Sequence, residues 1–186
     1  MSLVLIGFKK SGKTTIGKLL AEKAKVAFYD TDHVALKLYE EESVVLESCY
    51  EIACKYGEKY FRNLETKSIN YLQFRKKPMV VATGGGALLK EENISLLRNL
   101  GKLIYLKWPI EIIEKRIFLF REKTYFVKNG SLVSNFANIF SKRCSIFEKE
   151  ADLILDCQGK TEKQILESLS NSCNITDSEW VYKNVK

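Results

Sequence analysis

The 186-residue sequence has little of what membrane proteins, metal centres and disulfide-stapled domains require. No apolar run approaches the roughly 18 residues that a bilayer span demands. The chain has one histidine and five scattered cysteines without C-x-x-C spacing, which argues against a zinc site. An odd number of scattered cysteines favours free thiols in a reducing compartment. We therefore expect a soluble, cytoplasmic protein without a signal peptide and without a membrane partner.

The composition is that of an ordinary globular protein, with 46% hydrophobic and 28% charged residues. A chain of this length buries roughly 70% of its unfolded surface, so it can form a core without disulfides. One domain spanning 1–186 is the expectation. The formal net charge of +7 fits either a nucleic-acid partner or a site that collects small anions, and charge alone does not choose between them.

Short apolar segments alternate with longer segments of helical period along most of the chain. This alternation is typical of an α/β fold in which helices cover a parallel sheet. Only two prolines are present, and Pro78 and Pro109 stand at a predicted strand entry and a predicted helix entry. The predicted strands are 3–6, 26–29, 79–83, 102–106 and 152–155.

Helical periodicity fills the segments between these strands. Thr161 and Gln164 have the spacing of a capping box at the start of the last helix. The polar segment 121–131 is interpreted as a lid, and 171–186 is a tail without an obvious role. The predicted helices are 13–24, 33–55, 58–75, 91–100, 110–120, 132–149 and 161–170.

Residues 7–14, with the sequence GFKKSGKT, follow a predicted strand and open a predicted helix. They fit G-x-x-x-x-G-K-[ST], a loop that binds phosphates through backbone N–H groups and a helix N-terminus. On this interpretation Lys13 reaches the β and γ phosphates and the Thr14 hydroxyl can hold Mg²⁺. The alternative is a glycine turn that binds nothing. The side chains of Lys9 and Lys10 fit a phosphate site and a solvated surface equally well.

Two carboxylates, Asp30 and Asp32, follow the second predicted strand. Residues two apart on an extended backbone point to one side, and ligands of parallel sheets gather at the carboxyl ends of the strands. One carboxylate could hold metal-bound water beside Thr14, and the other could accept hydrogen bonds from a substrate hydroxyl. Alternatively, both could cap the helix that begins near His33, which we interpret as a surface residue.

Glu58, Arg62 and Glu65 fall at helical spacings. Such a set is often an exposed salt-bridge face, but it also suits an arginine that a glutamate aims at a substrate carboxylate. The three glycines 84–86 follow a predicted strand, where they indicate either a simple loop or a close approach of backbone to ligand.

In this order and spacing, the motifs resemble those of the shikimate kinases, a branch of the P-loop nucleoside-monophosphate-kinase-like proteins. The resemblance covers about residues 3–170. The phosphate loop is shared with many NTPases, whereas the other motifs at these spacings are specific. They are the loop through Gly17, FYDTD at 28–32, Gly57-Glu58 with Phe61-Arg62 and Glu65, ATGGG at 82–86, and Arg143 ahead of EKEAD at 148–152.

The resemblance implies an α/β fold with a five-stranded parallel sheet and flanking helices, a substrate-binding region at about 33–62 and a lid at about 121–131. It also implies ATP-dependent phosphorylation of the shikimate 3-hydroxyl in aromatic amino acid biosynthesis, with Mg²⁺ as cofactor. The expected partners are ATP and shikimate, without nucleic acid, and we expect a monomer. Another small-molecule kinase, such as gluconate kinase, or a degenerate nucleotide-binding homologue is the alternative.

The same resemblance implies roles for individual residues. Lys13 would stabilise the transferring phosphoryl group, Asp32 would help deprotonate the attacking hydroxyl, and Lys123 would act from the lid. Mg²⁺ would be held by Thr14 and Asp30. The shikimate ligands would be Asp32, Arg62, Gly84, Gly85, Gly86 and Arg143. The ATP ligands would be Lys10, Ser11, Gly12, Lys13, Thr14, Thr15, Arg116, Lys123 and Lys160.

The sequence departs from the family pattern in the phosphate loop, near Arg143 and in the lid, where the usual Arg-Pro-Leu-Leu is replaced by Lys123-Thr124-Tyr125-Phe126. Lys10 stands where the family has glycine, Ser145 where it has proline, and Phe147 where it has tyrosine. Lys123 stands where the lid usually carries an arginine, so it keeps the charge but loses the planar fork. Because an arginine at such a position can be worth about 10³ to 10⁵ in turnover, either Lys123 suffices, Arg121 replaces it, or catalysis is slow.

Overall fold

A computed structural model describes residues 2–42, 48–119, 126–128 and 131–175. The strands are β1 (Ser2–Ile6), β2 (Ala27–Asp30), β3 (Met79–Ala82), β4 (Gly101–Lys107), β5 (Val127–Lys128), β6 (Ser131–Leu132) and β7 (Leu153–Asp156). The helices are α1 (Lys13–Lys23), α2 (Thr31–Glu42), α3 (Cys49–Tyr56), α4 (Glu58–Gln73), α5 (Glu91–Leu100), α6 (Ile110–Leu119), α7 (Phe136–Glu150) and α8 (Glu162–Ser172). A short 3₁₀ turn spans Ala87–Leu89.

The main sheet has five parallel strands in the order β2-β3-β1-β4-β7, which confirms the predicted fold class. The central strands β1 and β3 are buried along their whole length because helices cover both faces. The edge strands β2 and β7 are partly exposed. Ala82 is in register with both Leu5 and Asp30, so the segments that follow β1, β2 and β3 meet at one edge of the sheet.

Helices α2, α3 and α4 pack against one another around a small apolar cluster of their own. Tyr39 of α2, Ile52 of α3 and Phe61 of α4 are among its buried members. This packing places one face of α4 beside the carboxyl end of the sheet, where Glu65 is buried. None of the helices in the described part of the chain has the length and hydrophobicity to cross a bilayer.

The single helix predicted at 33–55 is wrong, because α2 and α3 are separate helices. Helix α3 has its own start signal, since the Ser48 hydroxyl accepts a hydrogen bond from the Glu51 N–H at 3.2 Å. The Glu51 carboxylate in turn accepts one from the Ser48 N–H at 3.0 Å, which completes a capping box. Helix α2 begins at Thr31 rather than at His33.

The predicted helix at 132–149 starts later, at Phe136. Residues Ser131–Leu132 pair in antiparallel fashion with Val127–Lys128, and the Val133 N–H donates to the Phe126 carbonyl at 2.9 Å. Strand pairing therefore satisfies backbone groups that a longer helix would have used. At α8, the Thr161 and Gln164 capping box is confirmed.

Candidate active site

The phosphate loop joins β1 to α1 and curls around the ammonium of its own lysine. Lys13 Nζ donates to the carbonyls of Gly7 at 2.9 Å and Phe8 at 2.7 Å. Burial lowers the pKa of Lys13 to about 8, although the nearby carboxylates Asp32 and Asp30 work in the opposite direction. Lys13 therefore provides a buried positive charge at the N-terminus of α1, which suits a phosphate group.

Lys10 adopts a left-handed backbone conformation, with φ of +67°. An L-residue in this region is strained by roughly 1 to 2 kcal/mol, whereas glycine is not. Lys10 therefore stands at a position whose backbone conformation favours glycine, the residue that the family has there. The loop nevertheless forms, and Ser11, which follows Lys10, is buried.

Asp30 caps α2 and also contacts Thr14, so the two alternatives that the sequence left open do not exclude each other. Its Oδ1 accepts a hydrogen bond from the Asp32 N–H at 3.0 Å in the first turn of α2, as a capping carboxylate does. Its Oδ2 accepts one from the Thr14 hydroxyl at 2.7 Å. The assumption of an extended backbone from Asp30 to Asp32 was wrong, because the chain becomes helical at Thr31.

Asp32 lies near Asp30 and Glu65, beside the glycine segment 84–86. Burial, followed by the negative charges of Asp30 and Glu65, raises the pKa of Asp32 to about 7, while Lys13 and Lys9 hold it lower than it would otherwise be. A Cβ on Gly84 would lie 2.5 Å from Asp32 Oδ1. Glycine is therefore required at position 84 for the backbone to approach the carboxylate. The glycine segment is a close approach of backbone to this site, not a simple loop.

Arg62 projects from α4 between two glutamates. Its Nη1 donates to Glu65 Oε2 at 2.8 Å and its Nη2 to Glu58 Oε1 at 3.2 Å. Glu65 is only 1% exposed, so the interpretation as a simple surface salt-bridge face does not hold. Burial disfavours the charge on Arg62, but Glu65 and Glu58 outweigh it and raise the pKa. A Cβ on Gly86 would lie 2.6 Å from Arg62 Nη1.

Arg143 reaches the same place from α7. Its Nη1 donates to the Gly85 carbonyl at 3.2 Å, and its guanidinium lies 5.4 Å from the ring centre of Phe8. Burial, together with repulsion from Arg62, lowers the pKa of Arg143 to about 10. Two guanidinium groups that repel each other in a partly buried site favour an anion between them.

These groups line two adjoining cavities. The arginine cavity, of about 90 Å³, has Arg62 and Arg143 in its wall. The phosphate-loop cavity, of about 500 Å³, has Lys13 and Thr14 in its wall. Lys9, Asp32 and Gly85 border both. A group held by the arginines would therefore lie next to Asp32 and to whatever the phosphate loop binds.

Most predicted nucleotide ligands also line the phosphate-loop cavity, namely Lys10, Ser11, Gly12, Lys13, Thr14, Thr15 and Arg116. The Lys160 ammonium instead donates to the Asp156 carbonyl at 2.6 Å, and in this part of the chain Glu162 and Ile165 border the cavity. Lys123 and Arg121 lie outside the described residues, so their roles remain predictions.

Sequence reasoning missed Trp108. It follows β4 directly, at the same edge of the sheet as the phosphate loop, and it borders the phosphate-loop cavity. Its indole N–H donates to the Ser11 carbonyl at 3.0 Å, and the Arg116 guanidinium lies 3.8 Å from the indole ring centre. Its place at the carboxyl end of a predicted strand was the signal that could have identified it.

A phosphate loop after the first strand of a five-stranded parallel sheet, next to an arginine cavity, defines a P-loop kinase. The family model described as "Shikimate kinase" matches residues 9–174, and the chain belongs to the shikimate kinase family. The curated shikimate kinase of Caldicellulosiruptor bescii is 37% identical over 147 residues, which cover 79% of this chain and 81% of the relative. That of Dictyoglomus turgidum is 34% identical, covering 88% and 92%. The solved structure of the Acinetobacter baumannii shikimate kinase in complex with shikimate is 27% identical with a TM-score of 0.79, covering 93% of each chain.

Proposed function

We propose that the protein transfers the γ-phosphoryl group of ATP to the 3-hydroxyl of shikimate. The observation that carries this proposal is the placement of two guanidinium groups, Arg62 and Arg143, around one cavity that meets the phosphate-loop cavity at Asp32. Membership of the shikimate kinase family supports the same acceptor.

The two arginines are suited to the carboxylate of the acceptor. Arg62 is held in place by Glu65 at 2.8 Å and Arg143 by the Gly85 carbonyl at 3.2 Å, so neither has to be ordered when a ligand arrives. A carboxylate between them would relieve the repulsion that lowers the pKa of Arg143. Guanidinium groups also match the geometry of a carboxylate with paired hydrogen bonds.

Asp32 is suited to accept the proton of the attacking hydroxyl. Its pKa of about 7 is close to neutral pH, and a general base is most effective when its pKa lies near the pH of the reaction. The hydroxyl oxygen would attack the γ-phosphorus as its proton moves to Asp32, and ADP would leave. Lys13 supplies positive charge to the phosphates, since phosphoryl transfer depends mainly on positioning and charge neutralisation.

Thr14 and Asp30 would hold Mg²⁺ with the nucleotide. Their hydroxyl and carboxylate oxygens are 2.7 Å apart at the cavity wall and are the hard ligands that Mg²⁺ prefers. No group of three or more His, Cys, Asp or Glu with metal-binding geometry occurs among the described residues, so phosphates and water would complete the coordination. Bound Mg²⁺ would neutralise charge on the phosphates.

Further expectations extend this proposal beyond the two cavities. We propose that Lys123 in the lid at about 121–131 and Lys160 contact ATP, that 33–62 forms the acceptor region, and that the protein acts as a cytoplasmic monomer. The odd number and scattered positions of the cysteines favour a reducing compartment. Sedimentation of the purified protein tests the monomer, and a dimer at micromolar concentration would overturn it.

A coupled assay with ATP, Mg²⁺ and shikimate tests the proposed reaction. Wild type should form ADP in proportion to shikimate, and Arg62→Ala should raise the KM for shikimate at least tenfold, because a charged hydrogen-bonding group is lost. Arg98→Ala is the matched control, since Arg98 pairs with Glu150 away from both cavities. Folded wild type that phosphorylates gluconate but not shikimate, or that binds ADP but phosphorylates neither, would contradict the proposal.

A further inference from the structure

Trp108 lies outside the phosphate-loop motif but contacts two residues of the nucleotide site, Ser11 and Arg116. It is 9% exposed, and it borders the phosphate-loop cavity. Its indole N–H donates to the Ser11 carbonyl at 3.0 Å. Its ring supports the Arg116 guanidinium at 3.8 Å, and Arg116 Nη1 donates to the Lys10 carbonyl at 3.1 Å. Two successive carbonyls of the loop are therefore held by one stacked pair.

We propose that Trp108 is a positioning residue of the nucleotide site, which orients the phosphate-loop backbone through the Ser11 carbonyl and positions Arg116, on which the nucleobase of ATP would stack. This inference rests on the proposed use of ATP. On this proposal Trp108 has two separable effects, one on the binding of the phosphates of ATP and one on the binding of its base.

The effect on the phosphates follows from the geometry of the peptide bond. In a planar trans peptide, the carbonyl of one residue and the N–H of the next point in opposite directions. The hydrogen bond from Trp108 to the Ser11 carbonyl therefore also fixes the N–H of Gly12, which borders the cavity and precedes α1. The Arg116 bond to the carbonyl of Lys10 supports the strained, left-handed conformation of that residue.

The effect on the base follows from the shape of the guanidinium. It is planar and stacks on aromatic rings through its faces. The Arg116 guanidinium lies 3.8 Å from the Trp108 ring centre and borders the phosphate-loop cavity, so we expect a nucleobase in the cavity to stack on it. Burial lowers the pKa of Arg116, so the stacked cation is also partly dehydrated, which strengthens cation–π contact.

Two substitutions separate these effects. Trp108→Phe removes the indole N–H but keeps an aromatic ring under Arg116, whereas Trp108→Leu removes both. The probes are magnesium ADP and magnesium pyrophosphate, whose binding is measured by calorimetry without any acceptor. Phe74→Leu is the control, because Phe74 is 90% exposed and borders neither cavity.

Trp108→Phe should weaken ADP and pyrophosphate by the same factor, about threefold to tenfold, because one buried hydrogen bond is lost. Trp108→Leu should weaken ADP by about a further threefold and pyrophosphate by less, because pyrophosphate has no base to stack on Arg116. Combining Trp108→Leu with Arg116→Lys should cost less than the product of the single effects, since both act on one stack. In turnover, the KM for ATP should rise while the KM for shikimate stays unchanged.

Wild-type affinity for ADP in both Trp108 variants would overturn the inference. So would parallel losses of ADP affinity, shikimate affinity and resistance to urea, because these indicate a merely structural role. The proposed function is tested separately, by the phosphorylation of shikimate. A protein that does not phosphorylate shikimate can still bind ADP and pyrophosphate with the differences predicted for the Trp108 variants.

Discussion

Asp32 is predicted to reduce the stability of the protein at the pH where it works. Its pKa is raised from 3.8 to about 7, chiefly by burial. Below pH 3.8 the side chain is protonated in both folded and unfolded protein, and no penalty exists. As the pH rises from 3.8 to 7, the Asp32 carboxyl ionises in the unfolded chain before it ionises in the folded protein. The free energy of unfolding therefore falls. Above pH 7 the loss of unfolding free energy is constant. At 1.36 kcal/mol for each unit of pKa shift it is at most about 4 kcal/mol, and it is smaller because water reaches part of the carboxylate.

Asp32→Asn removes this penalty and keeps the shape of the side chain. We expect urea unfolding to show the variant more stable than wild type by about 1 to 3 kcal/mol at pH 8, with the gain shrinking towards zero at pH 4. Its turnover should fall at least 100-fold, because the general base is lost. Glu40→Gln on the exposed side of α2 is the control and should change neither property. An Asp32→Asn variant that is no more stable at pH 8 than at pH 4, relative to wild type, would refute the reasoning.

Other substitutions test the site at three further points. Lys9→Met removes a charge that lowers the pKa of Asp32, so the acidic limb of the kcat/KM profile should move to higher pH; an unmoved limb would count against Asp32 as the base. Gly86→Ala should raise the KM for shikimate about tenfold and leave that for ATP unchanged, because its Cβ would displace the guanidinium of Arg62. Equal effects on both KM values would contradict this. Lys10→Gly should raise the unfolding free energy by about 0.5 to 1 kcal/mol, because glycine adopts a φ of +67° without strain. A lower unfolding free energy in the variant would show that the strain is absent.

The parts of the fold that follow from local chemistry were predictable from the sequence. Strand β1 is apolar throughout and leads into the phosphate loop, and α8 carries a capping box that the structure reproduces. The five-stranded parallel sheet follows from the alternation of such segments. Each of these features depends on residues close together in the chain, so one sequence is sufficient to identify them.

The division between α2 and α3 was missed although its signal is local, because the capping box of Ser48 and Glu51 lies inside a continuous helical period. The other features depend on the backbone conformation or on contacts between distant segments. The position of Asp32 could not be worked out from an extended backbone, because the helix starts at Thr31. The role of Gly84 needs the distance to Asp32, and the contact of Trp108 with Ser11 spans 97 residues.

Titration of shikimate into wild type and Arg62→Ala by calorimetry, with ADP and Mg²⁺ present, tests most directly whether the arginine cavity holds the acceptor. Wild type should bind with a stoichiometry of one, and Arg62→Ala should bind at least tenfold more weakly, because one half of the carboxylate clamp is gone. Equal affinity in the two proteins, with ADP binding intact in both, would contradict the proposed acceptor site.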